Sequence, residues 1–337
     1  MEFKNIKKAK PISVLLFLVG LIGIIAVLGI QINHLVRSFI IFISILMMIY
    51  SLVIGKTIDL ILFDADKNIV NKWLLYTALF LSCIFVLLLI FDPGTFNELS
   101  NEDSIVEWSS ALFLFGASIT FLVIWKKSNA YFSNITYYRW LLLLFSIAFF
   151  VLGMEEVSWF QREIGFDTPK AFEGNLQNEF NLHNFATHYS EIIYYNGSFV
   201  FLVLLPFIEL IFPTFIKNRY LKYLIPRPFI MVIGALFCSY NFVRWESIIT
   251  QITFFSSILI LISLALFCTK KTEKNLVIFT VFLLIIQQIV FLNNGANYED
   301  PYVLKEFKEF FIPLGYLVFS LDVYSRLNNI YSSYDET

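Results

Sequence analysis

Long apolar runs recur along the whole chain and constrain its fold more than any other feature. A lipid hydrocarbon core about 30 Å thick is crossed by about 20 mostly apolar residues in a helix, and backbone polar groups in lipid must be satisfied within the protein. The sequence therefore predicts an all-α fold, a polytopic transmembrane helical bundle that forms a single integral membrane domain. Its ten predicted spans are residues 11–30, 36–55, 73–92, 105–125, 138–158, 191–213, 227–243, 248–268, 275–293 and 309–326.

Composition agrees with this fold class and excludes others. The 337 residues are 58% hydrophobic and only 15% charged, whereas a soluble domain averages about 25% charged residues. The net charge of −2 argues against a nucleic-acid partner, so membrane lipids are the expected surroundings. All three cysteines lie in apolar runs, without the spacing of a disulfide framework or a zinc site.

The loops between the spans predict an orientation. Cytoplasmic loops of membrane proteins are enriched in Lys and Arg. If the N-terminus is cytoplasmic, 18 of the 24 lysines and arginines fall on the inner side, and every second loop is basic. We therefore expect an N-in, C-in topology in which the acidic loops face outward.

The segment 153–188 concentrates polar groups in an otherwise apolar chain. Its sequence, GMEEVSWFQREIGFDTPKAFEGNLQNEFNLHNFATH, contains two adjacent glutamates and two of the three histidines. Gly165 is typical of a helix end, and Thr168 followed by Pro169 is typical of a helix start. This pattern predicts a short surface or re-entrant helix over residues 170–175, between spans 5 and 6.

Three glutamates at span ends are candidate acid–base groups. An ionisable side chain in a transmembrane segment is costly, and it is a functional hypothesis by default. At about 100° per residue, Glu155 shares a helix face with Arg162, whereas Glu156 points elsewhere. Structural ion pairs with Arg162 or Arg244 are the alternative for these two carboxylates. With Glu107 of span 4 and a histidine of the polar segment, the candidate catalytic residues are Glu155, Glu156, His183 and Glu107.

The same segment offers candidate ligands for a metal and a substrate. Glu179 and His183 are four residues apart, which would place them together on a helix. A carboxylate and an imidazole can bind a divalent metal ion, or the carboxylate can orient the histidine as a base; an ordinary hydrogen bond is the third interpretation. The candidate metal ligands are Glu156, Glu179 and His183. The candidate substrate-binding residues are Arg162, Arg244, Asn184 and Gln161.

Three strings within this segment carry a resemblance to a known family. They are GMEEVSWFQR from Gly153, GFDTP from Gly165 and NEFNLHN from Asn178. Together they resemble an uncharacterised family of bacterial multi-span inner-membrane proteins with the signature EExSWxQR…GFxTP…NxHN. The resemblance implies a location in the bacterial inner membrane. A more distant analogy is with alkaline-ceramidase-like membrane hydrolases, although this chain has no late HxxxH pair and its last histidine is His188.

These observations leave three functional hypotheses. The first is a hydrolase or transferase that acts on a lipid-linked or amphipathic substrate in an outward-facing polar pocket. The second is a transporter or channel with an acidic outer vestibule, although helices 8 and 9 offer mainly Gln251, Gln287 and Gln288 as polar groups. The third is a non-catalytic subunit of an envelope-assembly system.

Overall fold

The structure, a computed structural model, consists of helices and connecting segments. It describes residues 3–30, 32–63, 69–101, 104–131, 135–176, 178–298 and 304–335. The α-helices in order are α1 (Phe3–Gly29), α2 (His34–Val53), α3 (Ile69–Phe91), α4 (Pro93–Ser100), α5 (Ile105–Tyr131), α6 (Thr136–Glu156), α7 (Gln161–Ile164), α8 (Thr187–Phe199), α9 (Leu205–Ile211), α10 (Arg219–Lys222), α11 (Pro228–Leu236), α12 (Ile248–Phe267), α13 (Lys271–Asn294) and α14 (Glu306–Asp335).

Nine helical segments in these described ranges are long and apolar enough to cross a membrane. They coincide with nine of the ten predicted spans, and a π-helical turn joins α8 and α9 into one of them. The chain is thus an all-α, multi-pass membrane protein. Many large apolar side chains of α1 and α2 are exposed, among them Leu15, Ile22 and Phe39, as expected of helices that face lipid.

The long helices run between two ends of the bundle that differ in charge. The basic end carries Lys56, Lys222, Arg227, Lys270 and Arg326. Ser13 in α1 donates to the carbonyl of Ser51 at 2.6 Å, which places the beginning of α1 beside the end of α2. Lys56 Nζ reaches the carbonyl of Ile211 at 3.1 Å, so α9 also ends there. The opposite end, the glutamate end, holds the last turn of α6 and the first turns of α5 and α14.

The seventh predicted span, residues 227–243, is wrong in length. The helix with its final 3₁₀ turn covers Pro228–Ser239. A helix of this size rises roughly 18 Å, well short of a hydrocarbon core. The backbone beyond it is held by side chains instead: Gln288 Nε2 donates to the carbonyl of Asn241 at 2.6 Å, and Asn241 Nδ2 donates back to Gln288 Oε1 at 2.9 Å.

The segment nevertheless passes from one end of the bundle to the other. Before α11, Arg227 pairs with the fully buried Asp322 at the basic end. After the break, Arg244 pairs with Glu191 at the glutamate end. The loop charges predict that successive spans run in alternating directions. Because the broken seventh segment still crosses the bundle, the later helices keep that alternation. Which face of the membrane each end meets stays a prediction.

Two short elements differ from the prediction. The chain over residues 170–175 forms turns, and the short helix of this segment is α7, four residues long. Thr168 does not cap a helix: its hydroxyl accepts a hydrogen bond from Gln161 Nε2 at 2.8 Å and donates to the carbonyl of Asn178 at 2.6 Å. The sequence also gave no expectation of α4, which Asp92 caps. Hydrogen bonds from the Thr95 hydroxyl and amide lower the pKa of Asp92.

The short α11 lies at the centre of the bundle. Its residues from Phe229 to Leu236 are all buried, which agrees with their being apolar on every side. A Cβ at Gly234 would come within 2.7 Å of Leu202, and one at Gly315 within 2.9 Å of the same side chain. Small residues therefore let α11 and α14 pack closely around Leu202, as is common between transmembrane helices.

Candidate functional site

Glu155 ties down the irregular segment 157–186, which we call the elbow. Glu155 Oε1 accepts a hydrogen bond from Trp159 Nε1 at 2.7 Å. Its Oε2 accepts the backbone amides of Leu182 at 2.8 Å and His183 at 3.0 Å, and lies 3.3 Å from His183 Nδ1. This buried carboxylate is therefore engaged on both oxygens, and it fixes both ends of the elbow against α6.

A second glutamate holds the interior of the elbow. Glu179 Oε2 accepts a hydrogen bond from Ser158 Oγ at 2.7 Å, and Glu179 Oε1 forms an ion pair with Arg162. Asn181 Nδ2 contacts both Ser158 and Glu179: it lies 2.8 Å from Ser158 Oγ and 3.2 Å from Glu179 Oε2. Residues 158, 159 and 160 all adopt left-handed φ angles, between 45° and 59°. Such angles cost non-glycine residues roughly 1–2 kcal/mol each, so this network compensates for an unfavourable backbone.

The predicted substrate-binding residues of this segment also lie within the elbow. Gln161 Nε2 donates to Thr168 Oγ1 at 2.8 Å, and its Oε1 accepts the amide of Phe180 at 2.6 Å. Asn184 is buried, and its carbonyl accepts the amide of Leu176 at 3.2 Å. Together with the Arg162 ion pair, these contacts give each of the three residues a partner inside the elbow.

The predicted metal ligands Glu156, Glu179 and His183 do not converge. Residues 179–183 are not α-helical, so the spacing of four does not bring Glu179 and His183 side by side. Glu179 contacts Ser158, while His183 contacts Glu155. Within the described part of the chain, no three His, Cys, Asp or Glu side chains could hold a metal ion. The expectation of a bound divalent metal is therefore not supported.

Glu156 lies in a different environment, which we call the glutamate cluster. The cluster combines Glu156 at the end of α6 with Glu107 at the start of α5 and with Glu306 and Glu309 at the start of α14. The charges of these four carboxylates act on one another. The side chains of Glu306 and Glu309 are only 16% and 14% exposed. Three helices thus bring like charges together at the glutamate end, which is unfavourable unless protons or cations compensate.

Lys305 lies beside this cluster. Its Nζ lies 4.0 Å from both Glu306 Oε1 and Glu309 Oε1, and 3.0 Å from Glu191 Oε1 on α8. These carboxylates, Glu309 foremost, raise the pKa of Lys305 above its usual range, although partial burial acts in the opposite direction. Lys305 therefore stays charged and connects the cluster to Glu191.

A cavity of about 260 Å³ lies beside the cluster, between α8, α12, α14 and the chain after α11. Buried Cys238 and Lys308 contribute to its lining, and exposed His188 and Ser247 lie toward solvent. Tyr195 also lines the cavity, and its hydroxyl donates to Glu309 Oε1. A single side chain therefore separates the cavity from the glutamate cluster.

Two cations and a histidine line this cavity. Arg244 pairs with Glu191 and lies 2.6 Å from His188 Nδ1, measured from its Nη1. Lys308 Nζ donates to Asn241 Oδ1 at 2.5 Å and lies 4.7 Å from the centre of the Tyr195 ring. Of the predicted site residues, Arg244 lines the cavity and Glu107 and Glu156 form the cluster. Arg162 and His183 belong to the elbow, and Glu155 of α6 holds it.

The sequence interpretation did not select the residues that join these regions. Glu191 and Tyr195 are four apart on α8, so they share a helix face. Lys305, in the turn that leads into α14, and Glu309 are also four apart, and their side chains lie 4.0 Å from each other. Charged residues at the start of the apolar run 309–326 could have indicated this site. Lys308 in particular is a buried lysine, a rare feature that usually has a structural or functional reason.

Comparison of the chain with protein-family models, curated proteins and solved structures finds no match. The resemblance to a bacterial inner-membrane family therefore stays a prediction.

Proposed function

We propose that this integral membrane protein is a hydrolase or transferase that acts on a lipid-linked or amphipathic substrate at the glutamate end. The observation that carries the proposal is the glutamate cluster beside a cavity that has both apolar and polar walls. Carboxylates that approach one another inside a membrane protein are costly, and a bundle stabilised only by packing has no need of them.

The cluster suits acid–base chemistry. Carboxyl groups that repel one another share protons, so one member can accept a proton while another donates one. Glu309 is the member nearest the cavity, because the Tyr195 hydroxyl contacts it. In this proposal one of Glu309 and Glu156 takes the proton of the attacking hydroxyl group, whose oxygen forms the new bond to the reacting centre. The other gives its own proton to the leaving group as the bond between that group and the reacting centre breaks. Glu107 contributes negative charge to the same cluster.

The elbow has a positioning role in the same proposal. Glu155 lies in the last turn of α6, and its neighbour in sequence is the catalytic candidate Glu156. Because Glu155 is held by the backbone amides of Leu182 and His183, it fixes the last turn of α6. His183 is then a partner of Glu155 and acts on the reaction only through it.

The experiment is a comparison of lipid turnover by purified variants. Wild-type protein in vesicles made from a total lipid extract is incubated, and untargeted mass spectrometry compares the lipids before and after. We expect one lipid class to be consumed by the wild type, and its turnover to fall about 100-fold or more in Glu156→Gln and Glu309→Gln, as removal of general acid–base groups typically does.

Glu163→Gln is the matched control, because Glu163 is an exposed glutamate of the elbow at the same end of the bundle. It should turn over lipid at the wild-type rate. If Glu156→Gln and Glu309→Gln are folded and as active as this control, the catalytic assignment is wrong.

A carrier is the second candidate, and the break after α11 favours it. Substrate sites of many transporters form where a transmembrane helix is interrupted. Here the break adjoins a fully buried polar group in which Ser82 Oγ lies 3.2 Å from Tyr240 Oη and donates to Gln287 Oε1 at 3.1 Å. Movement of a labelled amphiphile between leaflets without chemical change, abolished by Gln287→Leu, would favour this function.

A further inference from the structure

We propose that the cavity between α8, α12 and α14 is an anion site that takes the phosphate group of a membrane lipid headgroup. The inference deepens the proposed function, because it names the chemical class of the substrate that the glutamate cluster would act on. The binding claim can nevertheless be tested without any turnover.

The charged side chains that line the cavity are all basic. Among the described residues they are Arg244 and Lys308, with His188 beside them, and no carboxylate belongs to the lining. Hydroxyl groups of Ser247 and Thr250 complete the polar wall, together with Thr253, whose hydroxyl donates to the carbonyl of Thr250 at 2.9 Å. Cations with hydroxyl donors are the groups that bind phosphate oxygens in proteins.

Lys308 supports the inference most strongly. It is only 7% exposed, and a buried lysine is normally paired with a carboxylate. Lys308 instead donates to the neutral side chain of Asn241 and lies over the Tyr195 ring. Glu309 and Glu191 act on it only from further away, since neither forms an ion pair with it. A phosphate oxygen in the cavity would supply the missing counter-charge.

The first turn of α12 adds a second contribution. Ser247 occupies the N-cap position but makes no side-chain capping hydrogen bond, and Ile249 and Thr250 of the first turn line the cavity. The N-terminus of a helix carries partial positive charge and unpaired amide groups, and it binds anions readily. The helix end and the two cations therefore face the same space.

The size and surroundings of the cavity fit a headgroup and not a whole lipid. Its volume of about 260 Å³ lies just below the range of roughly 300–1,000 Å³ typical of sites for drug-sized molecules. Ile192, Val243 and Ile249 give it an apolar side, and Val243 and Ile249 are exposed. Because α8 and α12 are membrane-spanning segments, the acyl chains of a bound lipid can stay in the bilayer.

The test measures lipid binding by delipidated protein in phosphatidylcholine nanodiscs that contain small amounts of phosphatidic acid. Native mass spectrometry gives the apparent Kd of the retained lipid. We expect wild-type protein to prefer phosphatidic acid to phosphatidylcholine. Lys308→Met and Arg244→Gln should each weaken phosphatidic acid binding at least about tenfold, as expected when a charged hydrogen-bond donor is removed.

Arg37→Gln is the matched control. Arg37 lies at the same end and also contacts a histidine, at 3.0 Å from His34 Nδ1, but it is not part of the cavity. Its loss should leave phosphatidic acid binding unchanged. A parallel measurement adds inorganic phosphate: if it displaces phosphatidic acid at equal concentration, the ligand is free phosphate and the lipid assignment is overturned.

Equal binding of both lipids by wild-type protein, or wild-type affinity in folded Arg244→Gln, would overturn the inference. If Lys308→Met does not fold, Thr253→Leu fills the cavity without changing charge and should also weaken binding. Loss of turnover in Glu156→Gln with unchanged phosphatidic acid affinity would support both proposals, whereas intact binding without any turnover by the wild type would contradict only the proposed enzyme.

Discussion

Glu155 and Glu156 are neighbours in sequence, yet they belong to regions of opposite character. The two buried carboxylates that hold the elbow both have donors: Glu155 accepts three hydrogen bonds, and Glu179 is held by Ser158, Arg162 and Asn181. In the glutamate cluster, the charges of the carboxylates act on one another, and Lys305 Nζ lies 4.0 Å from two of them, Glu306 and Glu309.

This difference separates groups that build the structure from groups that are available for chemistry. A carboxylate whose acceptors are filled by backbone amides stabilises a conformation and has little capacity left for a substrate. A carboxylate among like charges destabilises the fold, and it persists where function requires it. The most conspicuous polar segment of the sequence, residues 153–188, is therefore largely architectural. It also contains Glu156, which is one member of the glutamate cluster.

The largest expected effect comes from exchanging the two neighbours for glutamine one at a time. Glu155→Gln leaves one acceptor oxygen for donors that now use two, so at least one buried amide or indole N–H loses its partner. We expect a loss of about 3 kcal/mol of unfolding free energy. Glu156→Gln removes a repelling charge and should change stability by less than about 0.5 kcal/mol, or increase it.

Unfolding of the purified protein in detergent, followed by circular dichroism, measures both variants. The elbow and the cluster would not differ as we describe if Glu156→Gln were the more destabilised of the two. Protease sensitivity of the elbow should rise in Glu155→Gln alone.

A smaller effect on stability is expected for Lys305, the cation that joins the glutamate cluster to Glu191 on α8. The raised pKa of Lys305 means that its charged form is favoured in the folded state. Its contribution to stability is therefore fully present below the unfolded-state pKa of about 10.4 and declines as the pH rises above that value. Because Lys305 is 35% exposed, screening should limit the loss in Lys305→Met to about 1 kcal/mol at pH 7.

The measurement is the difference in unfolding free energy between wild type and Lys305→Met at pH 7, 9 and 11. The difference should be constant between pH 7 and 9 and smaller at pH 11. A difference that grows with pH would show that Lys305 does not stabilise the cluster through its charge. Lys170→Met, on the elbow, is the control and should show no such trend.

Nine spans could be predicted from sequence because hydrophobic length alone determines them. The seventh could not, since its residues are apolar enough for a full span and the helix ends through the Asn241–Gln288 amide pair. That contact joins residues 47 positions apart. No local pattern contains it.

The candidate site could be predicted only in part, because local sequence patterns determine some of its contacts and not others. Helical geometry was sufficient to separate Glu155 from Glu156, because both lie in α6. It failed for Glu179 and His183, because their segment is not helical and each bonds to a residue more than 20 positions away. The cavity joins α8, α12 and α14, and its assembly depends on tertiary packing that one sequence does not reveal.

The last comparison sets a glycine of the elbow against a glycine of a spanning helix. A methyl group would meet nothing within 4 Å at either Gly165 or Gly197. Gly165 has a φ of 75°, however, whereas Gly197 lies inside α8. Gly165→Ala should therefore destabilise the protein by about 1 kcal/mol through backbone strain alone. Gly197→Ala should stabilise it by up to about 1 kcal/mol.

Because neither substitution creates a clash, the difference between their unfolding free energies isolates the backbone. Opposite signs would mean that the elbow depends on left-handed conformations that its hydrogen bonds impose. If both variants were equally stabilised, residue 165 would not need its left-handed φ. The hydrogen bonds of Glu155 and Glu179 would then result from the backbone path of the elbow and would not impose it.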